Sequence, residues 1–363
     1  MKRIYNFSAG PAMLPIEVLE EAKKDMLSYK GCGMSVMEMS HRSPEYSEIH
    51  QETKTLLKEL LKVDENHEIL FLQGGASSQF SMVPMNLLDP KDKAAYVITG
   101  SWAKKAYKEA LLFGDISILA SSEDKSFNYI PDIKVDEIDP KTKYLYLCTN
   151  NTIYGTRISP SLINSIKIPA LLVGDMSSNI LSEDYDMNRF DLAFAGAQKN
   201  LGPSGLTLVV VRKDIFNKEK GSLPTMFDYR THIEKDSLYN TPPCYSIYIC
   251  GLVAKWLKNL GGVKEIEKIN REKSKLLYDF IDNSRLFKNE IKEEDRSLMN
   301  VVFVTGDKNL DESFVKGAKE KGLINLKGHR SVGGMRASVY NAMPLEGVNA
   351  LIDYMKDFEI NNI

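Results

Sequence analysis

Leu171-Leu172-Val173-Gly174-Asp175 comes first, then Asp191-Leu192-Ala193-Phe194 running into Ala195-Gly196-Ala197-Gln198-Lys199-Asn200, then Gly202-Pro203-Ser204-Gly205 and the apolar run Leu206–Val211. The apolar runs have the length and composition of buried strands. Between two of them stands a lysine, walled by residues with almost no side chain, and an acid closes a neighbouring strand. A flat group fits beside such a lysine, with the acid on its far side.

Pyridoxal phosphate asks for this pairing. A lysine amine condenses with the cofactor aldehyde, and a carboxylate against the pyridine nitrogen keeps it protonated so that the ring accepts electrons. Taken singly, each residue has a plainer reading: Lys199 as a surface lysine in a turn, Asp175 as a helix cap. Together, and followed by Gly202–Gly205, they favour the cofactor.

Upstream of this stretch, Ile69–Leu72 reads as a strand running into Gly74-Gly75-Ala76-Ser77-Ser78, ahead of a helix expected over Gln79–Leu88. Glycines between a strand end and a helix start let backbone amides close on an anion. The segment lacks the lysine of a nucleotide P-loop and the spacing of a dinucleotide fingerprint, so it suits neither ATP nor NAD. Ala95–Thr99 and Tyr144–Cys148 are further strands, leading to Trp102 and to Thr149-Asn150-Asn151-Thr152. Strands alternating with helical patterns predict a mostly parallel sheet flanked by helices, with ligands at the carboxyl ends of the strands. Gly74–Ser78, Trp102, Thr152, Asp175 and Lys199 all follow strands, so one sheet edge can gather them.

Near the start, Pro15–Tyr29 is expected to be a helix with Ile16, Leu19, Met26 and Leu27 on its apolar face. His41 and Arg42 precede a second helix, Tyr46–Leu61, and read either as ligand-facing residues or as a capping or salt-bridged pair. Beyond Val211, Ser222–Tyr248 is rich in turn and aromatic residues, broken by Asn240-Thr241-Pro242-Pro243. Helices are expected over Ile247–Leu260, Val263–Ile281, Glu312–Lys321 and Leu345–Phe358, and strands over Leu298–Thr305 and Arg336–Tyr340. The C-terminal part thus reads as a smaller α/β domain. Gly328-His329-Arg330 and Gly333-Gly334-Met335-Arg336 set arginines beside glycines, which suits bidentate binding of phosphate or carboxylate, with surface salt bridges as the plainer alternative.

The 363 residues carry 43% apolar and 26% charged side chains and a formal charge of -2, ordinary for a globular protein. That charge gives no general attraction to nucleic acid or to an anionic membrane. Cys32, Cys148, Cys244 and Cys250 form neither a disulfide framework nor a zinc pattern, and no metal is expected. Cys148 reads as a small core residue. The first residues lack the apolar core of a signal peptide and no apolar run is long enough to span a bilayer, so the cytoplasm is the expected location.

The ordered series Asn6-Phe7-Ser8-Ala9-Gly10-Pro11-Ala12-Met13-Leu14-Pro15, Ser40-His41-Arg42, Gly196–Asn200, Asn240–Pro243, Gly328–Arg330, Gly333–Ser338 and Tyr340–Val348 resembles the phosphoserine aminotransferases of the class V, fold-type I group. The resemblance covers nearly the whole chain. It implies a large pyridoxal phosphate domain over residues 15–262 and a small C-terminal domain over 263–363, packed with residues 1–14. It also implies that Lys199 holds the cofactor and moves the substrate proton, that Asp175 meets the pyridine nitrogen, that Trp102 stacks on the ring and that Thr152 contacts its phenolic oxygen. The cofactor phosphate would be bound by Ala76, Ser77 and Gln198, with Asn240 and Thr241 from a second subunit, hence a homodimer with shared sites. Arg336 would take the substrate α-carboxylate, with His41, Arg42, His329 and Arg330 on the substrate side, the last three around its phosphate.

Some members have arginine at the place of Ser77 and serine at that of Ala9, so phosphate binding here must lean on the remaining cations or on another basic residue. The activity implied is reversible amino transfer from glutamate to 3-phosphohydroxypyruvate in serine biosynthesis, with a possible second use on 4-phosphohydroxy-L-threonine in pyridoxine biosynthesis. The alternatives are another class V aminotransferase of the alanine:glyoxylate or serine:pyruvate type, and a non-catalytic sensor that binds pyridoxal phosphate.

Overall fold

The computed structural model describes residues 3–216 and 223–363, so Ser222 lies outside the described residues. In chain order the elements are β1 (Tyr5–Asn6), α1 (Ile16–Lys24), α2 (Pro44–Leu61), β2 (His67–Leu72), α3 (Gly75–Leu87), β3 (Lys93–Ile98), α4 (Ser101–Ala110), β4 (Asp115–Ser121), β5 (Thr142–Cys148) and α5 (Pro160–Ser165). There follow β6 (Leu171–Asp175), β7 (Leu192–Gly196), β8 (Thr207–Arg212), α6 (Tyr229–Glu234), α7 (Cys244–Asn259), α8 (Val263–Asn283), β9 (Asn300–Phe303), α9 (Lys308–Glu320), β10 (Leu323–Ile324), β11 (Met335–Ser338) and α10 (Leu345–Ile360).

Seven strands form the main sheet in the order β2-β8-β7-β6-β5-β3-β4. Only β8 opposes its neighbours; the other pairs are parallel. The connection from Gly196 to Thr207 is too short for a helical crossover, so the chain must return antiparallel. Each strand alternates between two buried faces. Ile69, Phe71, Leu145, Leu147, Leu208 and Val210 pack with apolar residues of α2 and α7, while Leu70, Leu72, Tyr144, Tyr146, Val209 and Val211 pack with those of α3 and α4. Burial on both sides is why these strands read as nearly unbroken apolar runs. At ~2 kcal/mol per large side chain, the two layers supply the main force that holds the sheet.

Two expectations need correction. The first helix stops at Lys24 rather than Tyr29, and its buried side is Val18 and Ala22; Ile16, Leu19 and Leu27 are exposed. Small residues one turn apart let α1 approach α7, and size-based reading overlooked them. The helix expected from Gln79 begins at Gly75, because Gly74 turns the chain with φ +91° and a Cβ there would sit 1.9 Å from Ser78 Oγ. The glycines are therefore the start of the helix rather than a loop before it.

Beyond the sheet, β9 pairs antiparallel with β11 and β1 pairs parallel with β10. A separate core joins Phe7 and Met13 to Leu277, Val301, Phe303, Phe314, Ala337 and Leu351. Buried polar links tie these elements to the sheet. Asn270 Nδ2 donates to Ser182 O (3.1 Å) and Asn341 Oδ1 (2.9 Å), Asn150 Nδ2 donates to Asn300 Oδ1 (2.8 Å), and Ser297 Oγ donates to Asn150 Oδ1 (2.6 Å). Lys273, fully buried on α8, donates to the carbonyls of Val339 (3.1 Å), Tyr340 (2.9 Å) and Met343 (3.1 Å). Among the described residues no helix is long and apolar enough to cross a membrane, and no group of three metal-ligating side chains occurs.

Candidate active site

The carboxyl ends of β2, β3, β5, β6 and β7 lie along one edge of the sheet, because these five strands all run the same way. That edge carries Gly74, Trp102, Thr152, Asp175 and Lys199. Lys199 is half-buried and donates from Nζ to Thr152 Oγ1 at 2.9 Å. Its amine is held below the ordinary lysine value mainly by burial; Arg336 pushes the same way, while Asp175 and Cys148 oppose. A cover lies over the loop: Ala12 N donates to Gln198 O (2.9 Å), and a Cβ on Gly10 would be 3.4 Å from Lys199 Cγ. Tyr340, donating to Ala9 O at 2.8 Å, holds that cover down.

Asp175 ends β6 at 4% exposure, and its Oδ1 accepts from Ser177 N at 2.9 Å. Burial raises its pKa; the Ser177 hydrogen bonds and the charge of Lys199 act the other way. A buried carboxylate of this kind is completed by a cationic N–H aimed at it.

At the other end of the cleft, α3 starts with no side-chain cap and no acid in its first turn. The free amides of Gly75, Ala76 and Ser77 and the helix dipole make an anion seat. Trp102, in the first turn of α4, has a buried Nε1 without a partner among the described residues, and Lys105 Nζ lies over the indole 4.3 Å from the ring centroid.

Arg336 reaches into the same space from β11. Its Nη1 donates to Thr152 O (3.2 Å), while its Nε is buried with no partner among the described residues. Burial lowers its pKa. His329 and Arg330 sit on a loop closed by Gly328 N donating to Gly334 O (2.8 Å), so tightly that a Cβ on Gly328 would be 1.9 Å from Gly333 O. His329 is held below its ordinary value by burial first, then by the charges of Arg336, Arg330 and Lys105. It lines, with Arg336, Lys125 and Lys288, a cavity of about 260 Å³ between these elements and the turn at Tyr154.

Four of the sequence-predicted residues stand apart from this group. His41 and Arg42 lie in the turn before α2, and among the described residues no hydrogen bond or ion pair joins them to the Lys199 cleft. Asn240 donates to Gln73 Oε1 (3.2 Å) and lines a cavity of about 290 Å³ with Gly74 and Ser78; Thr241 is its exposed neighbour. Sequence reasoning also missed residues that hold the site. Asn150 anchors β5 to Asn300 and Ser297, and the one available signal was its place in the polar run Thr149–Thr152. Nothing local marked Ser297, Asn300 or Lys273.

The parts fit a flat, phosphorylated pyridine aldehyde: a desolvated amine, a buried carboxylate lacking its cation, and an uncapped helix start. The unpartnered Nε of Arg336 suits a carboxylate on whatever reacts there.

Comparison with known proteins agrees with this chemistry. The Aminotransferase class-V family profile matches residues 4–351. The chain is 52% identical over 362 residues to a phosphoserine aminotransferase of Bacillus cereus, covering 100% of both. Among solved structures it is similar to the phosphoserine aminotransferase of Bacillus circulans subsp. alkalophilus, at 44% identity and TM-score 0.94 with all of both chains covered. It is also similar to a pyridoxal phosphate-bound phosphoserine aminotransferase of Trichomonas vaginalis, at 38% identity and TM-score 0.90, covering 98% of this chain and 100% of the other. The chain belongs to the class-V aminotransferase family.

Proposed function

We propose that the chain is a pyridoxal phosphate-dependent phosphoserine aminotransferase, moving an amino group reversibly between glutamate and 3-phosphohydroxypyruvate to give 2-oxoglutarate and O-phospho-L-serine. The observation that carries this reading is Lys199: a desolvated amine 2.9 Å from Thr152, between a buried acid and a buried arginine. When bound, the cofactor supplies an aldehyde that accepts the amino group and a ring that delocalises charge from the substrate Cα. Every other task falls to the protein.

Ala76, Ser77 and Gln198 hold the cofactor phosphate, and Trp102 covers the ring. Asp175 stays ionised against the ring nitrogen, which is the cation its burial calls for. Thr152 orients Lys199 Nζ and the cofactor's phenolic oxygen. Arg336 fixes the α-carboxylate, so that the Cα–H points at Lys199 Nζ, which takes the proton and returns it one position along. Burial holds that amine below the ordinary lysine value, which favours its neutral, proton-accepting form. Arg42, His329 and Arg330 receive the substrate's distal anion, with His41 beside them on the substrate side.

Asn240 and Thr241 reach a cofactor phosphate across a dimer, and Arg42 joins the cleft by the same route. The chain thus works as a cytoplasmic homodimer with shared sites, free of nucleic acid and membrane. The same pocket also admits 4-phosphohydroxy-L-threonine.

The test is the visible absorption of the holoenzyme before and after O-phosphoserine, with no oxo acid present. Loss of the cofactor's resting band supports the reading. A band that ignores O-phosphoserine and responds to alanine or serine would refute it.

A further inference from the structure

Trp102 and Lys105 are three residues apart on α4 and so share a face of that helix. Lys105 Nζ rests 4.3 Å from the indole centroid, and the cation–π contact narrows the range of an otherwise free side chain. Lys105 is exposed and, among the described residues, makes no ion pair, whereas its neighbour Lys104 pairs with Glu123. Its charge acts on His329 together with those of Arg336 and Arg330. Neither arginine has an ion-pair partner among the described residues. Among the described residues Glu290 is the one acid lining the cavity that His329 and Arg336 share, and it forms no ion pair with them. Cations brought together without counter-charges repel one another, an arrangement that a multiply charged anion relieves.

We propose that Lys105 is a substrate-binding residue whose ammonium, propped on Trp102, takes a non-bridging oxygen of the substrate's phosphate monoester beside His329 and Arg330, and so favours phosphorylated over unphosphorylated substrates. The assignment rests on the phosphorylated-substrate reading above. Its chemistry differs from that of the arginines: lysine offers a compact point charge that accepts any direction of approach, where guanidinium demands a planar pair of oxygens. A phosphate dianion held by one planar fork still has oxygens to spare. Lys105 stands on the helix that opens at the sheet edge, so its Cα is placed by the same backbone that places Trp102.

The experiment measures each half-reaction of the holoenzyme separately, with O-phosphoserine and with glutamate, for wild type, Lys105→Met and Lys105→Arg. Methionine keeps the stem over the indole and removes the charge. The expected result is a fall of about tenfold in kcat/KM for O-phosphoserine, carried by KM, with glutamate changed by no more than about twofold and arginine restoring most of the loss. Inorganic phosphate should inhibit the wild-type glutamate half-reaction and lose that effect in Lys105→Met. An unchanged KM for O-phosphoserine in Lys105→Met, or equal losses on both substrates, overturns the role of Lys105 and leaves the aminotransferase reading intact. A wild-type enzyme indifferent to both O-phosphoserine and inorganic phosphate overturns the two together.

Discussion

Lys273 is fully buried and Lys199 half-buried, and burial pushes both amines below the ordinary lysine value. Lys199 sits in a short loop between antiparallel strands and makes one hydrogen bond, to a hydroxyl. Lys273 sits in the middle of α8 and gives its three donors to three carbonyls. Burial alone therefore does not make a reactive lysine. What separates the two is vacant bonding capacity: among the described residues Lys199 has one partner and keeps further donors for another molecule, while Lys273 has spent its donors on the turn that leads into α10.

The sharpest way to break the comparison is to remove each amine. Lys199→Ala should cost about 10⁴-fold or more in turnover and leave thermal stability almost unchanged, read by steady-state kinetics and a melting curve. Lys273→Met should do the reverse. Three carbonyls lose their donor, for a loss of about 2–4 kcal/mol in urea unfolding, with the residual folded enzyme retaining turnover. A stable Lys273→Met protein without activity would erase the distinction.

A gentler probe is pH. Burial pushes the Lys273 amine down to about 7, against 10.5 in an unfolded chain. Between those values the unfolded chain binds the proton more fully than the folded chain, so stability rises with pH across that window. Its contribution is at most about 1.4 kcal/mol per pH unit, because the carbonyls favour the charged form. Unfolding measured from pH 7 to 9 should show that slope, and Lys273→Met should remove its share. The smallest effect is on the open side. Thr152→Val deletes the single bond to Lys199 and should lower kcat by about three- to tenfold with little change in stability, and a larger drop in melting temperature than in kcat would count against an orienting role.

The contrast also explains what the sequence could tell. β5, β6 and β8 were readable because burial on both faces writes an apolar run, and Lys199 was readable because small residues and glycines surround it. β4 went unread: as an edge strand it exposes Asp115, Ser117 and Ile118 and leaves no clean pattern. Lys273 was hidden in Arg271-Glu272-Lys273-Ser274-Lys275, which looks like a solvated helix face until the turn at Tyr340–Met343 folds over it. Lys105 was hidden by its neighbour, since two adjacent lysines look alike until one pairs with Glu123 and the other leans on an indole. Local spacing records which residues share a face, and it carries no record of what a distant segment later lays upon that face.

The cover over Lys199 has a consequence for the order of assembly. Residues Ala9–Ala12 reach their place only when β1 finds β10, where Tyr5 pairs with Leu323. The segment around Tyr5 must wait for the distant one around Leu323, with a large loop entropy to overcome before any contact rewards it. The sheet with its lysine can form while the chain is still being made. Its roof cannot, because its strand pairs only with β10, so closing the site depends on a contact between segments far apart in the chain.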